Sequence, residues 1–372
     1  DVCSSDLIYE YPMQQGGGND GRPYSFGRPS SGGSKAAYPC KSYGQGRINP
    51  AYFYGVFDPN DMRRDVSITM TGSNGKGVEK LIPFVPNSKA EGGGLTLNKW
   101  DENRQANPWV AAQRKSGING PYMRMSEVYL GYAEVCAALG DVVTGKQYLK
   151  TVRERSFPQG LANTDAFIAS FGNDLVRAII EERGFEYAGE GDRRWTLIRS
   201  GYLPEDIKRI KDMTKAMMDG LATKGYYEFE NGNIISAYIW TKLVDAKTIY
   251  GHRLTAQCPT DKVNDPVLYP GWRGQKDNWE EMGLNYGSST PATNLAIKGL
   301  FEIVSEEEAA SLESQGYAKV NWGIDLVDYR DEYDKYLFWD YDYVSAPIYL
   351  WPFTPNVMAA GGFTNGYGFK QE

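Results

Sequence analysis

The segment PYMRMSEVYLGYAEVCAALG at residues 121–140 decides how this chain is expected to fold. Its apolar residues recur at steps of three and four, the spacing of one face of an α-helix that packs against a neighbour. Gly140 follows the last of them in the position of a helix C-cap, and Arg124 and Glu127 lie one turn apart at the start. The sequence therefore predicts a buried helix whose packing stripe consists of Met125, Val128, Tyr129, Tyr132, Cys136 and Leu139.

A second segment, LVRAIIEERGFEYAGEGDRRWTLIRSG at residues 175–201, combines helical periodicity with a high density of charge. Glu181, Glu182 and Arg183 come before a cluster that runs from Glu190 to Arg194. Such a cluster offers enough hydrogen-bond donors and acceptors to tie a helix end to a neighbouring element. The sequence predicts helices at 121–140, 146–156 and 165–188, of which the first two form a hairpin like one tetratricopeptide unit.

The order and spacing of these residues resemble the SusD-like (SusD/RagB) family of outer-membrane glycan-binding lipoproteins. The matching positions are Asp61 to Asp65; Arg124, Glu127, Tyr132, Ala133 and Glu134; Val152, Arg153 and Arg155; Ile179, Glu182, Arg183, Glu190, Gly191, Arg193, Arg199 and Gly201; and Tyr349 to Phe353. Thr354 stands where the family usually has an apolar residue or proline. The resemblance implies a mainly α fold of tetratricopeptide-like helical hairpins, with long irregular loops and minor β hairpins.

The shared charged residues are expected to hold the fold together rather than to contact a ligand, because buried paired charges are usually structural. We predict that the helices at 121–156 and 174–189 pack together. The residues expected to be mostly buried and paired are Arg124, Glu127, Glu182, Arg183, Glu190 and Arg193. The aromatic residues assigned to the core are Tyr132, Trp195 and Trp351, which lie within the same motifs, and Trp240 and Trp339, which lie in apolar runs.

Composition divides the rest of the chain into regions. Their expected bounds are 8–120 for a loop-rich ligand side, 121–203 for the helical core, 204–346 for an elaborated insertion, and 347–372 for a C-terminal segment that docks on the core. Leu7 to Tyr11 alternates as a short strand does. Asn231-Gly232 predicts the turn of a β-hairpin.

The first seven residues, DVCSSDL, match the translation of a common sequencing-library adapter, and we expect them to be an assembly artefact. The resemblance implies a lipidated N-terminal cysteine and several helical hairpins ahead of the region present here, so the natural chain is expected to be longer at its front. Cys3 is not that cysteine, since no lipobox precedes it. Membrane attachment would come only from a lipid anchor outside these 372 residues, because no run of about 18 apolar residues occurs.

The composition favours a binding protein. The net charge is −7 and no basic run supplies phosphate neutralisation, which argues against nucleic acid. Aromatic residues make up 13% of the chain, with 27 Tyr and 9 Trp. Tyr and Trp suit a surface that stacks on flat apolar faces and forms hydrogen bonds at its edge. Sugar rings and protein interfaces both offer such faces, so composition alone leaves the ligand open.

Little in the sequence predicts catalysis, a metal or a cofactor. The single histidine, His252, is not accompanied by a G-x-S-x-G elbow, and no CxxC pair supports a zinc site. Cys136 is expected to pack as a small apolar residue, while a Cys40–Cys258 disulfide stays open. The acidic residues between 325 and 342 could supply glycosidase carboxylates or a calcium site, but a solvated acidic surface is the favoured interpretation.

The function implied by the resemblance is capture of oligo- or polysaccharide at the cell outer membrane for import through a partner SusC-like TonB-dependent transporter, without catalysis. Two alternatives are a carbohydrate-active hydrolase that uses paired carboxylates and a peptide-binding SusD-like protein. Aromatic side chains exposed on loops are the candidate ligand contacts. They are Tyr24, Tyr38 and Tyr43 in the first glycine-rich loop, Trp100 and Trp109 after the second, and Trp272 and Trp279 in the insertion.

Overall fold

The computed structural model describes residues 7–14, 16–17, 48–73, 79–82, 84, 94–100, 116–157, 160–245, 293–331, 349, 353–362 and 364. The helices are α1 (Pro50–Gly55), α2 (Arg63–Ser67), α3 (Met125–Ala138), α4 (Val142–Glu154), α5 (Thr164–Ala169), α6 (Leu175–Glu186), α7 (Arg193–Ser200), α8 (Leu203–Lys224), α9 (Glu306–Ser314), α10 (Gly323–Asp328) and α11 (Pro355–Gly361). The prediction of a mainly α fold is confirmed.

The strands are short and form small antiparallel sheets. They are β1 (Leu7–Tyr11), β2 (Ile68–Thr69), β3 (Thr71–Ser73), β4 (Glu79–Leu81), β5 (Thr96–Leu97), β6 (Gly120–Arg124), β7 (Tyr226–Glu228), β8 (Ile234–Ser236), β9 (Tyr238–Asp245), β10 (Thr293–Lys298) and β11 (Ala318–Asn321). Within the described residues the largest sheet has three strands in the order β10-β9-β11, and the other pairs are β1-β6, β2-β5, β3-β4 and β7-β8. The predicted strand at Leu7 to Tyr11 is β1.

The expected helical hairpin is formed by α3 and α4, which pack against each other and against α6. The turn between them begins at Gly140, whose φ of 87° is a left-handed conformation that favours glycine. Asp141 then caps α4, since its Oδ1 accepts a hydrogen bond from the Thr144 amide at 3.1 Å. Gly140 after the end of α3 and Asp141 at the start of α4 thus set the position of the turn between the two helices.

Two helix predictions have the wrong bounds. The segment before Met125 is strand β6, not helix, because its backbone pairs with β1. The predicted helix at 165–188 is interrupted after α5 by Gly172 and Asn173, which both have positive φ values, 66° and 65°. A helix cannot continue through left-handed residues, so α6 starts afresh at an N-cap, Asp174, whose Oδ1 accepts from the Arg177 amide at 2.9 Å.

The buried face of α3 also differs from the predicted stripe. Ser126, Leu130, Ala133 and Cys136 are the buried residues, so Cys136 alone of the predicted set lies in the core. Val128, Tyr132 and Leu139 are exposed instead. Both sets recur at steps of three and four, because α3 is apolar on two sides, and periodicity alone cannot tell which side faces the protein.

The main core joins α1 to the β-rich part of the chain. Trp322 and Tyr54 are fully buried, and Trp322 Nε1 donates to the Tyr54 hydroxyl at 2.8 Å. The predicted Asn231-Gly232 hairpin turn is present between β7 and β8. Asn231 Nδ2 donates to the Tyr54 and Phe57 carbonyls, each at 2.8 Å, and so anchors the hairpin to α1.

Other aromatic residues divide between core and surface. Trp240 is buried as expected, whereas Trp195 is exposed, so its assignment to the core is wrong. Tyr349 packs against a small cluster that contains Leu197 and Leu203. Phe353 is exposed, and Trp339 and Trp351 lie outside the described residues. The division into regions stays a prediction.

The buried hydrogen bond between Trp322 and Tyr54 gives a stability prediction. Tyr54→Phe should lower the free energy of unfolding by about 1–3 kcal/mol, because the indole N–H would remain buried without its acceptor. Urea unfolding followed by fluorescence measures this. Tyr329→Phe, at an exposed tyrosine, is the matched control and should change stability by less than about 0.5 kcal/mol. Equal losses in the two variants would contradict the role of the hydrogen bond.

Candidate functional site

Helix α6 carries two buried carboxylates one turn apart, Glu182 and Glu186. The Glu182 side chain is fully buried and lies between two guanidinium groups. Arg63 Nη1 is 2.7 Å from Glu182 Oε1, and Arg153 Nη1 is 2.9 Å from Glu182 Oε2. Burying a charged carboxylate is strongly unfavourable unless cations lie beside it. Arg63 and Arg153 therefore offset the cost of burying Glu182.

Glu186 is held by a larger set of cations. Arg124 Nη1 lies 2.6 Å and Arg63 Nη1 3.1 Å from its carboxylate oxygens, and Arg155 forms a third ion pair. Burial alone would raise the pKa of Glu186, but the charges of Arg63, Arg124 and Arg155 outweigh it and hold that pKa well below its usual range. Glu186 is therefore a permanent anion at neutral pH.

Arg124 extends the network to the end of α6. Its Nη2 lies 2.7 Å from Glu190 Oε1 and donates to the Glu186 carbonyl at 3.1 Å. Lys99 pairs with the same carboxylate and donates to the Glu186 carbonyl at 2.6 Å. Burial lowers the pKa of Lys99, with Glu190 opposing the shift. Lys99, which follows β5, and Arg124, the last residue of β6, are thereby both joined to the C-terminal end of α6.

A second group of ion pairs involves Glu181 and Arg183, the α6 residues on either side of Glu182 in the sequence. Arg183 Nη2 lies 2.8 Å from Glu127 Oε1 and 2.7 Å from Asp192 Oδ1. Arg193 Nη2 lies 2.7 Å from Glu181 Oε2. The six charged residues named in the sequence analysis are thus all paired in the structure. Glu127, Glu190 and Arg193 are half-buried, and the other three are buried.

Arg199 and Gly191 complete the motif residues. Arg199 Nη2 donates to Glu134 Oε2 at 2.7 Å on the exposed side of α3. Gly191 has a φ of 92°, a left-handed value that the turn before α7 requires. Tyr132, which is predicted to lie in the core, is exposed beside Tyr148, with ring centroids 4.9 Å apart. That assignment is wrong, because the ring lies on the outer side of α3.

The ion pairs of Arg124 hold one end of a two-stranded ribbon formed by β1 and β6. Arg124 is the last residue of β6, and β6 pairs antiparallel with β1 through the register Tyr9 to Met123 and Tyr11 to Gly120. Asn119 closes the ribbon at its other end, since its Nδ2 donates to Glu10 Oε1 and its Oδ1 accepts from the Met13 amide, both at 2.8 Å. Buried charge at one end and an amide clamp at the other hold the two strands together.

Three tyrosines form an exposed cluster on this ribbon, which we call the tyrosine cluster: Tyr9, Tyr11 and Tyr122. They are 56%, 49% and 68% exposed. The Tyr122 ring centroid lies 5.7 Å from each of the others at nearly right angles, and the Tyr9 and Tyr11 centroids are 6.0 Å apart. Edge-to-face contacts of this kind are favourable and restrict the rotation of the rings. The cluster is therefore a preformed aromatic surface in contact with solvent.

The predicted ligand-contacting aromatics do not coincide with this cluster. Tyr24, Tyr38, Tyr43, Trp109, Trp272 and Trp279 lie outside the described residues. Trp100 is described and is only 5% exposed, so the expected exposure of its ring is not found. The tyrosine cluster could have been suspected from the alternation in β1, which puts Tyr9 and Tyr11 on one face. Tyr122 could not, because its partner strand is more than 100 residues away in the sequence.

The described part of the chain offers little for catalysis. No group of three His, Cys, Asp or Glu side chains within it could hold a metal ion. Burial raises the pKa of Asp325, with Asp328 adding to the shift and a hydrogen bond from Asn321 opposing it. The remaining acidic residues of that segment, from Glu332 to Asp342, and His252 lie outside the described residues.

Comparison with known proteins identifies the class. The model of the SusD family matches residues 1–353, and the chain belongs to this family. The family consists of non-catalytic binding proteins that take part in carbohydrate uptake. None of the described helices is long and apolar enough to cross a membrane.

Individual relatives are distant. A SusD-like protein, P25 of Formosa agariphila, is 28% identical over 160 residues, which cover 43% of this chain and 26% of that protein. Among solved structures, a SusD homolog from Bacteroides thetaiotaomicron matches 56% of this chain and 44% of its own at 21% identity, with a TM-score of 0.41. A SusD superfamily protein from Bacteroides fragilis matches 52% of this chain and 40% of its own, at 20% identity and with a TM-score of 0.36. The chain thus spans less than half the length of these proteins.

The buried network predicts a large cost for removing a single charge. Glu186→Gln should lower the free energy of unfolding by about 3–5 kcal/mol at pH 7, because Arg63 and Arg124 would stay buried with too little negative charge. Thermal or urea unfolding checks this, with Glu228→Gln, at an exposed glutamate of β7, as the matched control. A loss below about 1 kcal/mol would show that these arginines find other partners.

The same residue predicts an acid dependence. Because the folded-state pKa of Glu186 is depressed, its stabilising contribution is complete above the unfolded-state pKa of about 4.3 and is lost as pH falls through the folded-state value. The stability gap between wild type and Glu186→Gln should therefore narrow as the pH is lowered from 7 to about 3. Unfolding midpoints measured across this range test it; a gap that does not change with pH would contradict the depressed pKa.

Proposed function

We propose that this chain binds an oligosaccharide at the outer surface of the cell and does not cleave it. The observation that carries the proposal is the tyrosine cluster, an exposed aromatic surface held by the buried network of a SusD-family chain. A pyranose ring has apolar C–H faces edged by hydroxyls, and a tyrosine ring can pack on such a face while its own hydroxyl forms a hydrogen bond.

The rigidity of the cluster favours binding. Ordering a free side chain on a ligand costs free energy, and rings that already contact each other have given up that freedom before the ligand arrives. The strands beneath them are tied by Arg124 and Asn119. The surface is therefore suited to a ligand held by stacking rather than by charge.

Family membership supports a wider assignment. We propose a lipid-anchored location at the outer membrane and transfer of the bound sugar to a SusC-like TonB-dependent transporter. Import of a polymer requires capture before transport, and a non-catalytic surface protein meets that need without a cofactor. A peptide ligand is the alternative that a binding measurement has to separate.

Titration of the purified chain against a panel of oligosaccharides and a panel of peptides tests the proposal. We expect binding to at least one oligosaccharide. Tyr122→Ala should weaken that binding by about tenfold, since stacking on one aromatic ring contributes about 1–2 kcal/mol by analogy with nucleobases. The affinity is measured by calorimetry, with labelled glycan followed in parallel for cleavage.

Tyr329→Ala is the matched control, because Tyr329 is an exposed tyrosine at the C-cap of α10 and is not part of the ribbon. It should leave the affinity unchanged. Binding of peptides alone would replace the proposed ligand class, and release of shorter sugars would contradict a non-catalytic role. An unchanged affinity in Tyr122→Ala would place the sugar on another surface.

A further inference from the structure

The backbone pairing of the ribbon formed by β1 and β6 stops at a proline. Tyr11 pairs with Gly120, so the next pair of the ladder would join Pro12 to Asn119. Proline has no amide hydrogen to donate, and β1 ends at Tyr11. The Asn119 side chain takes over at this point, since its Oδ1 accepts from the Met13 amide at 2.8 Å. A side chain thereby continues the pairing where the backbone cannot.

The other half of the Asn119 amide holds the strand itself. Its Nδ2 donates to Glu10 Oε1 at 2.8 Å, across 109 positions of the sequence. Glu10 is half-buried between the exposed Tyr9 and Tyr11, as expected from alternation, which puts its side chain on the face opposite theirs. Asn119 and Glu10 therefore support the tyrosine cluster from behind.

The geometry of the cluster depends on the register of the two strands. In the middle of the ribbon the ladder is irregular, and Tyr9 stands opposite Met123 instead of Tyr122. With this offset the Tyr122 ring lies 5.7 Å from the rings of both Tyr9 and Tyr11. A two-stranded ribbon is marginally stable on its own, and a slip by one residue would turn the side chains of one strand to the other face. Arg124 fixes one end through its ion pairs, which leaves the other end to Asn119.

We propose that Asn119 is a positioning residue of the oligosaccharide site: it fixes the register of β1 against β6 and so orders the three rings before a sugar arrives. This inference rests on the proposed function, because it gives Asn119 a part in the same site. A site that is correctly formed in only about a tenth of the molecules binds about tenfold more weakly. Hydrogen bonds within the protein order the rings, so the bound sugar does not have to.

Asn119→Asp tests the proposal with little change of shape. The aspartate keeps an acceptor for the Met13 amide but puts a second carboxylate beside Glu10. We expect the affinity for the best-binding oligosaccharide of the panel, measured by calorimetry at pH 7, to fall by at least about tenfold. Adding Glu10→Gln should restore the affinity to within about threefold of the wild type, because the glutamine amide can donate to the new carboxylate.

Coupling to Tyr122 separates positioning from a general structural role. If Asn119 acts through the tyrosine cluster, then Asn119→Asp added to Tyr122→Ala should weaken binding further by less than about threefold, because the ring that it positions is already absent. Losses that simply multiply would contradict action through the cluster.

Amide hydrogen exchange measures the order of the ribbon without any sugar. In Asn119→Asp, peptides that cover residues 7–13 and 118–124 should exchange at least about tenfold faster, while those of α6 keep the wild-type rate. Asn321→Asp is the matched control, since Asn321 Nδ2 also donates to a carboxylate, Asp325 Oδ1, at 3.1 Å and lies outside the ribbon. It should change neither the exchange of the ribbon nor the affinity.

The two readouts separate this inference from the proposed function. A wild type that binds no oligosaccharide would overturn the proposed function and with it the part given to Asn119. Unchanged exchange in the ribbon, or unchanged affinity, in Asn119→Asp would overturn the role of Asn119 and leave the proposed function standing. Faster exchange in α6 as well would show a general loss of structure, which would also overturn a positioning role.

Discussion

The burial of two carboxylates one turn apart on α6 is the constraint on which the arrangement of the other elements depends. Glu182 and Glu186 are removed from water, and a charge in that position is tolerable only when cations surround it. The cations come from separate parts of the sequence, namely Arg63 at the start of α2, Arg124 at the end of β6 and Arg153 on α4. None of these elements can shift without leaving a charge unpaired, which gives the helical body one defined packing.

The buried ion pairs also set the positions of the tyrosine cluster and of the exposed side of α3. Arg124 is at once a partner of Glu186 and the junction between β6 and α3. Two residues before it, Tyr122 lies on the ribbon, and four residues after it, Val128 lies on the exposed side of α3. A charge pair inside the protein thus orients an aromatic surface on one side of the junction and an apolar one on the other. Neither surface contains the charged motif, although both depend on it.

The sequence predicts the interior of this protein better than its surface. The paired charges could be expected, since Glu182, Arg183 and Arg124 lie in segments whose periodicity requires burial and whose charges therefore require partners. The buried side of α3 could not be chosen, because apolar residues recur at helical spacing on both of its sides. The interruption at Gly172 and Asn173 is not predicted either, because the apolar pattern continues through these two residues. Exposure of Trp100 depends on neighbours distant in sequence, and a local pattern carries no information about them.

The contact between Tyr54 and Trp322 spans 268 residues of the chain. Around it, the main core gathers Phe53 and Phe57 from one end and Leu326 from the other. Closing a contact of this span costs more chain entropy than closing the hairpin of α3 and α4, whose two helices are adjacent in the sequence. Contacts of high sequence separation slow folding, so formation of the main core is expected to limit the folding rate more than formation of the hairpin.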